Sequence, residues 1–181
     1  MDRRKFVNDE IEKSKKECGQ ECKVCYSLPV GFESAYGMFD VTKNTLFLND
    51  SIDRSDVRFL WTFFHEYRHF LQYNCPNLFD KSIIESLNYV IHFDGNCYKL
   101  VENEWKNCCL KDENLDFVEI YKNLPYEIDA NNFAYKKVKA VVNENQFLEL
   151  EKIFSQSKPT KNIENQVYKK LFKTIDELIK K

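Results

Sequence analysis

The sequence predicts an α+β fold that is predominantly helical, with a small β-sheet beside one buried helix. Three observations lead there. Glycine and proline together supply only 8 of 181 residues, where ordinary usage is about 12%, so tight turns are scarce and long helices are favoured. Apolar residues recur at helical spacing along most of the chain. Strand-like alternation is concentrated between residues 35 and 49.

The elements follow in order. Residues 1 to about 24 alternate basic and acidic side chains around Phe6, Val7, Ile11 and Cys18, the single apolar stripe of a surface helix. Ala35–Asp40 and Thr45–Asn49, joined by the polar Val41–Asn44, read as a hairpin, with an open edge near Thr45–Leu48 offered to an added strand. Ser51, Asp53 and Ser55 are successive helix-cap candidates before a run from Val57 to Tyr73 that is apolar on nearly every side, and Cys75-Pro76 ends it. Further helices are predicted at about 82–92 and 98–109, then a polar loop at 111–116. A helix starting at Pro125 and a C-terminal helix with Ile163, Val167, Leu171, Ile175 and Leu178 on one face complete the chain.

Composition narrows the function classes. A net charge of −2 argues against a nucleic-acid partner. No apolar run reaches the roughly 20 residues of a membrane span, and no secretory signal is visible, so a cytoplasmic location without membrane association is expected. Seven unevenly spaced cysteines suit reduced thiols. Cys18, Cys22 and Cys25 have the spacing of a metal or cluster site, but reduced structural thiols are the default. Residues 102–129 hold eight acids. They read as a solvated stretch, or as a selector of basic substrates if they border a cleft.

The chemistry concentrates in His65-Glu66-Tyr67-Arg68-His69, in the middle of the buried helix. At about 100° per residue, His65 and His69 project within about 40° of each other, so both imidazoles can reach one cation. Glu66 lies about 100° round from His65, out of easy ligand range but close to a water on that cation, which is where a general base belongs. Two imidazoles suit Zn2+, which brings the pKa of its water towards about 7, so the expected reaction is peptide hydrolysis. A third ligand is required. Glu127 is the best candidate, because it shares a helix face with Ala130, Asn131 and Ala134, whose small side chains permit close helix approach. Glu127 follows His69 by 58 positions, a gap that a helical excursion must fill and from which Glu85, Glu102 or Glu104 could compete as ligand.

His-Glu-x-x-His followed by Glu-x-x-Ala-Asn resembles the gluzincin metallopeptidases, in particular the compact minigluzincin and ImmA/IrrE-like proteins. The resemblance implies a zincin-like fold, His65, His69 and Glu127 as zinc ligands, and Glu66 as catalytic base. The resemblance covers roughly residues 35–140, and a length of 181 residues favours a single domain, read as an N-terminal helix at 1–26, a catalytic core at 27–142 and C-terminal helices at 143–181 of one metallopeptidase domain. Its partner would be a peptide or protein substrate. Around the ligands, Asn131 is expected to orient a histidine ring and Arg68 to anchor Asp129. His92, Tyr126 and Tyr135 are candidates to stabilise a developing oxyanion. The alternative is a non-catalytic zinc-containing regulatory or binding module of the same fold.

Overall fold

The computed structural model describes residues 2–52 and 54–180, with the side chains of residues 14 and 16–18 excepted. Asp53 as a helix cap and the Cys18 thiol therefore lie outside the described residues. The fold is mixed α+β. It divides into two compact units, one formed by the chain up to Phe79 with Asp129–Gln156, the other by Asp80–Ile128 with the residues from Ser157 onward.

In the first unit, α1 (Arg3–Cys18) is capped by the Asp2 carboxylate, which accepts from the Lys5 amide. It stops at Gly19, whose φ of 70° is the left-handed conformation a helix end favours. Residues 20–24 leave the expected helix. Lys23–Cys25 forms β1, which runs parallel to β3 (Thr45–Leu48), and β2 (Gly37–Asp40) pairs antiparallel on the other side of β3. Thr45–Leu48 is thus the central strand, and the open edge beside the long helix belongs to β2. The short β1 escapes a sequence reading because three residues show no period.

That long helix, α2 (Asp56–Asn74), begins at Ser55, whose hydroxyl accepts from the Arg58 amide at 3.1 Å. Phe59, Phe63 and Phe70 are fully buried on it, and Phe6 of α1 meets Phe63 and Phe64 edge-on, with centroids 6.3 and 6.0 Å apart. Arg3 ties the two helices together by pairing with Asp56 at 2.8 Å. Ala134 and Val138 of α5 (Pro125–Lys139) and Leu150 and Ile153 of α6 (Glu144–Ser157) close the same core.

The second unit overturns the expected helical excursion. After the short α3 (Lys81–Ser86), the chain forms an antiparallel meander of β4 (Tyr89–Ile91), β5 (Asn96–Val101) and β6 (Glu104–Cys109), where helices were expected at 82–92 and 98–109. The β5–β6 turn is Glu102-Asn103, with φ of 50° and 66°, the two-residue reversal whose twist matches paired strands. It uses no glycine, which removes the usual sequence signal. The 111–116 segment forms neither helix nor strand, as expected. Buried Glu119 on α4 (Phe117–Lys122) accepts from the Thr160 and Lys161 amides at 2.7 and 3.1 Å. α7 (Asn165–Ile179) buries Tyr168, Leu171 and Ile175, and its Phe172 stacks on Tyr89 at 4.1 Å.

Candidate metal centre

Between Trp61 and Phe70, the residues of α2 that are not buried are His65, Glu66, Arg68 and His69. Helical spacing alone turns them towards one side. The Nε2 atoms of His65 and His69 lie 3.1 Å apart. Two zinc–nitrogen bonds of about 2.0–2.1 Å opened to a tetrahedral angle would set their nitrogens about 3.3 Å apart. The pair is therefore already at chelating distance.

Glu127 sits in the first turn of α5 and is 5% exposed. The boundary between the two units falls just after it, but α5 is one unbroken helix, so Glu127 rides on the same rod as Asp129, Ala130 and Ala134. One ligand atom each from His65, His69 and Glu127 lies within 4.8 Å of the other two. No other group of three histidine, cysteine or acidic side chains meets that condition among the described residues. Glu85 and Glu104 instead pair with Lys81 and Lys106, and Glu102 lies in the β5–β6 turn. A carboxylate this buried beside two imidazoles suits a divalent cation, which supplies the positive charge that burial demands.

The orientation of His69 is set by a chain of hydrogen bonds. Gln72, fully buried, donates from Nε2 to Asp129 Oδ2 at 2.8 Å. Its amide oxygen therefore faces His69 Nδ1, 2.9 Å away, so Nδ1 carries the proton and Nε2 keeps the lone pair a metal needs. Asp129 is held in turn by Arg68, through Nε at 2.7 Å and Nη2 at 3.1 Å. The Arg68 guanidinium lies between the rings of Phe79 and Phe133, with centroids 4.4 and 4.7 Å away.

No protein family, curated protein or solved structure matches the chain. The site is accordingly read from its own atoms.

Glu66 projects beside this group into a cavity of about 230 Å³ lined by Tyr36, Gly37, Arg58, Trp61, Thr62 and His65. One of its oxygens, Oε2, accepts from the Phe39 amide at 3.0 Å, an N–H on the outer edge of β2. Its other oxygen makes no hydrogen bond among the described residues. Gly37 lets the edge strand approach α2. A Cβ there would stand 2.7 Å from the Thr62 methyl and 2.9 Å from the Phe47 carbonyl oxygen.

Three sequence-based roles need correction. The Asn131 side chain makes no hydrogen bond among the described residues, whereas Gln72, three residues after His69 on the same stripe, faces the ring. Tyr135 lies about 80° round α5 from Glu127. Its hydroxyl donates to Glu151 and its ring stacks on Phe154 at 4.1 Å, so it packs on α6, and the Glu151 hydrogen bond with added burial raises its pKa. His92 is held in the β4–β5 turn of the second unit, edge-on to Tyr98 at 5.5 Å, and is not a member of the metal-ligating group. Tyr126 is buried, at 6% exposure. The acidic stretch is also more than a solvated one, since Glu119, Glu127 and Asp129 are all engaged as described above.

Proposed function

We propose that the chain is a zinc-dependent peptidase of zincin-like, gluzincin type. The observation that carries the reading is the convergence of His65, His69 and Glu127 from two helices, with Glu66 beside them at the mouth of a cavity. His65 Nε2, His69 Nε2 and a Glu127 oxygen would hold the ion. Zinc bound there supplies Lewis acidity, including a lowered pKa for water at an open position.

The chain's own residues do the rest. Glu66 accepts the proton of the attacking water on the oxygen that the Phe39 amide leaves free, then returns it to the leaving amine. Its other oxygen stays hydrogen-bonded to Phe39, which fixes the carboxylate against rotation. Gln72 keeps His69 in the metal-binding tautomer, and Asp129 with Arg68 keeps Gln72 in place. A substrate strand would lie along the outer edge of β2, where the Gly37 backbone faces the cavity.

The test is zinc content by mass spectrometry together with cleavage of a peptide library. Wild type should carry one zinc and cleave. Glu66→Gln should keep the zinc and lose cleavage, and His65→Ala, His69→Ala or Glu127→Ala should lose both. Cleavage retained by Glu66→Gln, or absent from zinc-loaded wild type, refutes the reading.

A further inference from the structure

The cavity beside Glu66 has two charged residues in its wall, eight residues apart on α2. Glu66 and His65 mark the metal end. Arg58 lies seven residues before His65 on the same helix. Arg58 is half-buried, yet among the described residues its guanidinium makes no ion pair and no hydrogen bond. It faces the ring of Tyr36, 5.8 Å away.

The surroundings add a second guanidinium group. Buried Arg54 donates from Nη1 to the Tyr36 carbonyl at 2.7 Å and also faces the Tyr36 ring, at 5.4 Å. Its Nε and Nη2 have no hydrogen-bond partner among the described residues. Tyr36 is thus flanked by two guanidinium groups, and Trp61 supplies an apolar wall between Arg58 and the metal end. A bare, half-buried guanidinium in a cleft has one strong complement, a carboxylate that it can grip through two parallel N–H bonds.

We propose that Arg58 is the specificity-determining residue of this cleft and selects peptides with a carboxylate about three residues from the reacting carbonyl. The spacing is geometric. Seven helical residues span about 10 Å, and an extended peptide covers that in about three residues. The proposal rests on the peptidase reading for the meaning of the site, but not for its detection. The carboxylate has two possible sources, an Asp or Glu side chain and a chain terminus, and the shared chemistry is the anion.

The test is binding, read by fluorescence anisotropy with the full-length zinc-loaded Glu66→Gln protein, which holds peptides without turnover. One peptide set, blocked at both ends, scans a single Glu, Gln or Lys through each position. A second set has a free carboxyl terminus and no acidic side chain. The expected result is binding about tenfold or more tighter for Glu than for Gln at one position in the first set, or for the free over the amidated terminus in the second, weakening with added salt. Arg58→Ala should erase the preference, Arg58→Lys should keep part of it, and Arg58→Glu should transfer it to Lys, all with unchanged melting temperatures. Equal affinities for Glu, Gln and Lys throughout, a preference for Lys in the Arg58 protein, or no binding by any peptide overturns the inference. If zinc-loaded wild type cleaves without an acidic preference, the inference fails and the peptidase reading stands. If it cleaves nothing while the Arg58-dependent preference persists, the reverse holds.

Discussion

Replacing Gln72 by Leu tests the metal centre one step away from the metal. The substitution keeps the volume roughly constant and removes the hydrogen bonds of a fully buried amide to His69, at 2.9 Å, and to Asp129, at 2.8 Å. Asp129 keeps two bonds from Arg68, so most of the penalty falls on His69, whose Nδ1–H loses its acceptor. Leaving such a donor unsatisfied costs about 1–3 kcal/mol, partly offset by the apolar side chain introduced. The ring is then free to rotate or change tautomer, which should weaken zinc binding by about 10–100-fold. Zinc dissociation constants from competition with a chromophoric chelator, and melting temperatures with and without zinc, separate the two effects. The zinc-free protein should lose stability modestly, and the zinc-bound protein should lose more. A zinc affinity within twofold of wild type would show that Gln72 does not set the His69 ring, whatever happened to stability.

Other outcomes follow from the same geometry. Asp129→Ala strips Arg68 of its partner between two aromatic rings and should cost about 2–4 kcal/mol by denaturant titration, with Asp129→Asn losing less. Gly37→Ala forces a methyl against Thr62 and the Phe47 carbonyl, and should cost about 1–3 kcal/mol and shift the Phe39 amide resonance as the strand moves off α2. The Arg3 hydrogen bond holds the Asp56 carboxyl below its ordinary pKa. Its stabilisation is complete above the unfolded value of about 3.9 and disappears as pH falls through the lower folded value, so Asp56→Asn should flatten that acid limb of a stability profile. Burial, aided by the neighbouring Cys108, pushes the Cys97 thiol up to about 12. Alkylation mapped by mass spectrometry should therefore mark exposed Cys109 well before Cys97, which reacts only on unfolding.

The parts of the site that lie on one helix were legible in the sequence, because the angle between His65, Glu66 and His69 is arithmetic on a 3.6-residue turn. Glu127 could be found by its company of small residues on one face. Gln72 was reachable by the same arithmetic, but its role needs Asp129, and that partnership depends on where two helices meet. Tyr135 illustrates the limit from the other side. Its chemistry suits an oxyanion, yet its angle on α5 gives it to Glu151. The β4–β6 meander was hidden for a different reason. Its strands carry Lys99, Lys106 and Asn107 among cysteines and aromatics without clean alternation, and its tight reversal rests on Glu102-Asn103.

The tie between Glu66 and β2 has a bearing on how the protein tolerates mutation. The donor is a main-chain amide, which nineteen of the twenty residue types possess, so drift at position 39 leaves the anchor of the carboxylate in place as long as the strand holds. Proline alone deletes it. A deep mutational scan should find position 39 permissive towards other large apolar residues that still meet Phe70, and intolerant of proline even where the protein folds.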